Sequence, residues 1–187
     1  MRTLLIGGAR SGKSALALRW SNERSTDVCT LVTGNESDPE MAARIAAHRR
    51  ERPAHWRVRE EPVNLGRALR EETNGVARGV ILVDCLTLWI SNCLWPPGSD
   101  AADQVAWHRE RDDFLGALSA SAADVIIVTN EVGTGIVPNN AAARIFRDEQ
   151  GWLNQAVAAV CDEVFFVTAG LPLCLKPGPA RTTTPLP

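Results

Sequence analysis

Residues 7–14 read Gly7-Gly8-Ala9-Arg10-Ser11-Gly12-Lys13-Ser14. They match G-x-x-x-x-G-K-[ST], the phosphate-binding loop of nucleotide-handling proteins. The flanks agree with the motif. Thr3-Leu4-Leu5-Ile6 reads as a short buried strand, and Ala15 to Trp20 reads as the helix that follows. A strand, a glycine turn and a helix N-terminus gather backbone N–H groups around one point, and the helix dipole favours an anion there. Gly7 and Gly12 permit close approach, Lys13 supplies a compact charge for outer phosphates, and Ser14 offers a hydroxyl to Mg²⁺. Of the 20 Lys and Arg residues only two, Lys13 and Lys176, are lysine. Position 13 departs from the arginine preference of the chain, as a tight loop that cannot house a planar guanidinium requires.

A chain of 187 residues reads as one domain, able to bury roughly 70% of its unfolded surface. The domain is expected over residues 1–176, with 177–187 a Pro-rich tail lacking a periodic apolar face. A net charge of −2 argues against nucleic acid as the main partner. The five cysteines, Cys29, Cys85, Cys93, Cys161 and Cys174, are scattered without a C-x-x-C pair. They read as buried thiols of a reducing compartment. The longest apolar run, Val80 to Ile90, is interrupted by Asp84 and too short to span a bilayer. The chain enters its core at Thr3 with no signal peptide ahead of it, so a cytoplasmic protein is expected.

Apolar strands alternate with helical stretches, the pattern of an α/β fold: a mostly parallel sheet with helices on both faces, of the P-loop NTPase type. Val28 to Thr33 is the second strand, running into Gly34-Asn35 at the edge where parallel sheets collect ligands. A helix follows from Ser37-Asp38-Pro39-Glu40, capped either by Asp38 or by a Ser37/Glu40 box, and Pro53 ends it. Arg44, His48 and Arg52 fall four apart and share a face while the helix lasts. Flanking arginines disfavour imidazolium, leaving His48 neutral and nucleophilic, and they could hold phosphate oxygens. On residue physics alone the plainer reading is a solvated basic face with a bystander histidine. Trp56 reads as packing rather than as a base platform.

Val63 to Glu72 is an amphipathic helix broken by Thr73-Asn74-Gly75. Gly79 to Asp84 is a buried strand ending in an acid, the form of a Walker B segment, whose carboxylate orients Mg²⁺. The alternative role for Asp84 is capping the helix from Leu86 to Leu94. A long helix is expected from Asp100 or Ala101 through an exposed, inert His108 to Ala120. Asp124 to Thr129 is a further strand, ending in the loop Asn130–Pro138, read as a substrate loop. Asn139 or Asn140 caps a helix to Val160, whose Arg144, Arg147, Asp148, Asn154 and Gln155 face either the site or water. Glu163 to Thr168 is a strand, and Leu171 to Leu175 an antiparallel edge.

Several segments together resemble the bifunctional adenosylcobinamide kinase / adenosylcobinamide-phosphate guanylyltransferase family of cobalamin (vitamin B12) biosynthesis. They are residues 7–14; Glu40 to Ile45 with His48, Arg52-Pro53 and Trp56; Asp84-Cys85-Leu86-Thr87; Thr129 to Gly133 with Gly135 to Pro138; and Phe146-Arg147-Asp148 with Gly151 and Asn154-Gln155. The resemblance covers residues 1 to about 176, leaving the tail outside, and the loop after the second strand varies here to Gly34-Asn35.

The resemblance implies two reactions. A nucleoside triphosphate, ATP or GTP, phosphorylates adenosylcobinamide. GTP then yields GMP to a histidine, which passes it to the phosphorylated cobinamide to give adenosylcobinamide-GDP. The family's histidine falls on His48, which reverses the plainer reading of that residue. With Lys13, it is the expected catalytic group. Nucleotide contacts are implied at Gly7, Gly8, Ala9, Arg10, Ser11, Gly12, Lys13, Ser14, Thr33, Gly34, Asn35, Arg49, Arg50, Glu51, Arg52, Glu60 and Asp84, with Ser14 and Asp84 on Mg²⁺. A homotrimer is implied too. Two rivals remain: a simple small-molecule kinase with no need of His48, and a nucleotide-switch module with no acceptor.

Overall fold

The computed structural model describes residues 1–34, 50, 52–75 and 79–178. The strands are β1 (Arg2–Gly7), β2 (Val28–Val32), β3 (Arg57–Glu60), β4 (Val80–Asp84), β5 (Asp124–Asn130), β6 (Glu163–Thr168) and β7 (Leu171–Lys176). The described helices are α1 (Lys13–Arg24), α2 (Leu65–Gly75), α3 (Leu86–Leu94), α4 (Gln104–Ala120) and α5 (Ala141–Val160). The strands form one sheet in the order β3-β2-β4-β5-β1-β6-β7. All pairs are parallel except β6 with β7, so the expected mostly parallel α/β fold and its antiparallel edge are both present.

The central strands are mostly apolar because both sheet faces are covered. Successive residues alternate between two cores, as the two-residue period of a strand demands. Leu4, Leu31, Ile81, Val83, Val125 and Ile127 face a large core with α2, α3, α4 and α5. Leu5, Val28, Val80, Leu82, Ile126 and Val128 face a smaller one with α1 and Trp56. Trp56 is therefore a packing residue, as expected. The large core centres on Trp89, whose ring meets Trp107 at 5.0 Å and Phe114 at 5.1 Å, both edge-on. Its indole N–H donates to the Val63 carbonyl at 2.6 Å.

Several boundaries differ from the sequence reading. The strand β3 was not anticipated. It is an edge strand of charged, largely exposed residues, held by pairing with β2 and by ion pairs from Arg57 to Glu72 and from Arg59 to Glu71. Helix α2 runs through Thr73-Asn74-Gly75 instead of breaking there; the Thr73 hydroxyl donates back to the Leu69 carbonyl. Helix α4 begins at Gln104, with the Asp103 carboxylate accepting from the Ala106 N–H, not at Asp100 or Ala101. Asn140, of the two candidates, caps α5 through the Ala143 N–H. The helix expected over 38–50 lies, but for Arg50, outside the described residues, as does most of the Pro-rich tail.

At the start of β1 Arg2 grips Asp162 through Nη2 at 2.7 Å and Nε at 3.3 Å, while the Arg2 backbone N–H donates to the same carboxylate. The side-chain hydrogen bond from Arg2 holds the Asp162 carboxyl below its ordinary range. A depressed carboxylate contributes stability above its unfolded pKa and loses it as pH falls through the folded value. Asp162→Asn should therefore cost about 1–2 kcal/mol at pH 7. That difference should fade below about pH 4, as urea unfolding at a series of pH values would register. Trp89→Ala should cost about 3–5 kcal/mol in the same assay, and Trp89→Phe less, since a phenyl ring still fills part of the site although the Val63 carbonyl loses the indole donor.

Candidate active site

The parallel strands end together, so Gly7, Val32, Glu60, Asp84 and Asn130 reach the same edge: Gly7 pairs with Asn130, and Val32 with both Glu60 and Asp84. Strand β5 lies between the strand that carries the phosphate loop and the strand that carries Asp84. Ligands of open α/β sheets gather at this edge.

The loop from Gly7 to Ser14 is folded against its neighbours. A Cβ on Gly7 would lie 2.4 Å from the Val167 carbonyl oxygen, and Gly12 has φ +94° with Gly170 Cα 3.0 Å from its would-be Cβ. Both positions require glycine, one for space and one for backbone conformation. The Gly170 N–H donates to the Ser11 carbonyl at 2.8 Å, and the Ser11 N–H to Gly8 at 3.3 Å. Lys13 is buried, and its ammonium donates to the Gly8 carbonyl at 3.0 Å, spanning the loop's concavity. Ala9 and Arg10, at the tip, are exposed.

Asp84 does not cap α3; that helix starts after Cys85 without a side-chain cap. Its carboxylate instead accepts from Arg52 Nη2 at 2.9 Å. The Arg52 side chain is almost wholly buried, and its Nε and Nη1 find no acceptor among the described residues. Ser14, Arg52 and Asp84 line one narrow cleft floored by Leu82 and Val128. A hydroxyl and a carboxylate in one cleft are hard oxygen donors that suit Mg²⁺, which completes its shell with phosphate oxygens and water.

Thr33 is fully buried, and its hydroxyl accepts from the Cys85 N–H at 3.0 Å and donates to the Cys85 carbonyl at 2.6 Å. It therefore fixes the backbone next to Asp84. Glu60, exposed at the end of β3, lines a groove of about 430 Å³ with Arg52, Pro53, Ala54, Trp56 and Val58. Gly34 is half-buried just past Thr33 and Arg50 is exposed. Asn35, His48, Arg49 and Glu51 lie outside the described residues.

One group escaped sequence reasoning. Gln150, fully buried, donates to the Thr129 hydroxyl at 2.9 Å and to Asn154 Oδ1 at 3.0 Å. Asn154 donates in turn to the Asn130 carbonyl at 2.9 Å, and the Thr87 hydroxyl accepts from the Asn130 N–H at 3.0 Å. The network pins the base of the loop after β5. The signal was present in the helical spacing of Gln150 and Asn154, four apart on one face. Of the helix's other polar residues, Gln155 is exposed, Arg147 pairs with Asp148 at the surface, and Arg144 donates to the Pro138 and Asn139 carbonyls. His108, expected to be inert, stands 3.3 Å from the buried Glu149 carboxylate, which also accepts from Trp107.

Among solved structures, the flagellar accessory protein FlaH from Methanocaldococcus jannaschii superposes with a TM-score of 0.51 at 11% identity, over 95% of this chain and 78% of that one. A prototypical ATPase of the bacterial type III secretion system gives 0.55 at 9%, over 92% and 56%. Such likeness speaks for a shared P-loop NTPase fold alone. Sequence similarity is closer. This chain is 45% identical to the bifunctional adenosylcobalamin biosynthesis protein CobP of Pseudomonas aeruginosa, over 96% of its own length and 99% of the relative's. It is 38% identical to CobU of Escherichia coli, which bears the same bifunctional description, over 94% and 100%. The model of one protein family matches residues 3–175. The chain belongs to the cobinamide kinase / cobinamide phosphate guanyltransferase family.

Proposed function

We propose that this chain phosphorylates adenosylcobinamide with ATP or GTP and then guanylylates the product through a GMP–histidine intermediate at His48. The observation that carries the reading is the cleft where Ser14, Asp84 and Arg52 meet beside the phosphate loop, in a chain of this family. The loop's N–H groups and Lys13 bind and orient the triphosphate. In the kinase step the substrate hydroxyl oxygen bonds to the γ-phosphorus, and the nucleoside diphosphate leaves. In the second, a neutral His48 ring nitrogen bonds to the α-phosphorus of GTP and pyrophosphate leaves. An oxygen of the cobinamide phosphate then takes the GMP and frees the ring. Ser14 and Asp84 would hold Mg²⁺, which when bound neutralises phosphate charge.

A homotrimer is part of the same proposal. Leu171, Leu173 and Leu175 of the edge strand β7 are each more than half exposed, as an oligomer contact would require. No described helix is long and apolar enough to cross a membrane. Cys29, Cys93 and Cys161 are buried as expected, whereas Cys85 is half-buried and Cys174 on the edge strand β7 is exposed; five free thiols suit the cytoplasm.

Incubation with GTP labelled at its α-phosphate should give an acid-labile, base-stable protein label. His48→Ala should abolish it, and Lys13→Ala should reduce both label and kinase turnover at least about tenfold if one nucleotide site serves both steps. No label under active conditions would favour a plain kinase, and binding of GTP without turnover a switch module. Sedimentation velocity should give three chains per particle, and Leu173→Arg should shift it toward the monomer.

A further inference from the structure

Arg52 makes a poor resting ion pair. It reaches Asp84 through one nitrogen at 2.9 Å, where a guanidinium facing a carboxylate can make two contacts. Its other two nitrogens are buried without an acceptor among the described residues, and each buried unsatisfied donor costs free energy. The cost persists because burial of an unpaired guanidinium would be worse still. The same carboxylate is the strand-end oxygen donor that shares its cleft with the Ser14 hydroxyl. A guanidinium held on one oxygen of that carboxylate competes with a divalent cation for it, since like charges at such range repel strongly.

We propose that Arg52 is an interlock: its guanidinium occupies the metal-holding carboxylate until triphosphate arrives, then moves to phosphate oxygens and frees Asp84 for the divalent cation. The inference rests on the nucleotide-site reading above, though not on the identity of the acceptor. Phosphate oxygens supply acceptors that the unsatisfied nitrogens lack, so the exchange relieves the guanidinium while admitting the metal. Metal alone binds weakly because it must first evict Arg52. Phosphate and metal therefore assist one another through a side chain that touches each in turn.

Two binding measurements on the intact chain test this, with folding checked by circular dichroism. Mn²⁺ binding without nucleotide is read from the electron paramagnetic resonance of free Mn²⁺, and GTP binding in EDTA by calorimetry. Arg52→Gln should tighten Mn²⁺ by about tenfold and weaken metal-free GTP by about tenfold, the size of one charged contact exchanged. Arg52→Lys, which keeps the charge but not the fork, should fall between wild type and Arg52→Gln in both. Asp84→Asn should abolish the Mn²⁺ gain when combined with Arg52→Gln. A merely structural role for Arg52 would lower both affinities together. Mn²⁺ affinity unchanged or weaker in folded Arg52→Gln and Arg52→Lys, with GTP still bound by wild type, overturns the interlock alone. Failure of the wild type to bind GTP at all overturns the nucleotide-site reading beneath it.

Discussion

Burial of the sheet on both faces is the constraint on which the molecule depends. Every side chain of β2 is buried, and β4 and β5 are buried but for their ends. Such strands have no solvated face on which to carry polar function. Chemistry is therefore displaced to where the strands stop. Parallel pairing brings those stops to one edge, so Gly7, Thr33, Asp84 and Asn130 become neighbours although the sequence scatters them. The two cores then differ in size, with four described helices on one face and α1 on the other.

Several of the polar groups that enter the interior hold this edge. Thr33 fixes Cys85 from the end of β2. Gln150 and Asn154 tie α5 to Thr129 and Asn130, while Thr87 reaches the same Asn130 from α3. The bonds from Thr33, Asn154 and Thr87 end on backbone groups at the strand ends. Gln150 braces Thr129 and Asn154 through its amide N–H groups, with its Oε1 left without a partner among the described residues; buried bonds of this kind favour a single geometry. The phosphate loop is stiffened by equivalent means, through Gly170 and the Lys13–Gly8 contact.

Central strands were legible because burial on both faces writes a continuous apolar run, as in Ile81-Leu82-Val83 or Val125 to Val128. The edge strand Arg57-Val58-Arg59-Glu60 was not, because its side chains are largely exposed and its only apolar member, Val58, is itself 46% exposed. Glycine and asparagine near the end of α2 read as breakers, yet the helix's buried Leu65, Ala68 and Leu69 anchor it and its last turn needs no apolar residue. The loop and the strand-end acid could be read from local spacing. The partner of Asp84 could not: Arg52 is 32 residues away, and only the fold decides which arginine of so many meets which acid.

The scarcity of lysine has an outcome of its own. Lys13 is buried across its loop, and the half-buried Lys176 folds onto the carbonyls of Ala158, Ala159 and Cys161 at the end of α5. Both ammonium groups are thus committed to backbone oxygens, and the positive charge on the outer surface is guanidinium. Acylating reagents, and any cellular acetyl donor that seeks a loose side-chain amine, meet a coat with almost nothing for them to react with.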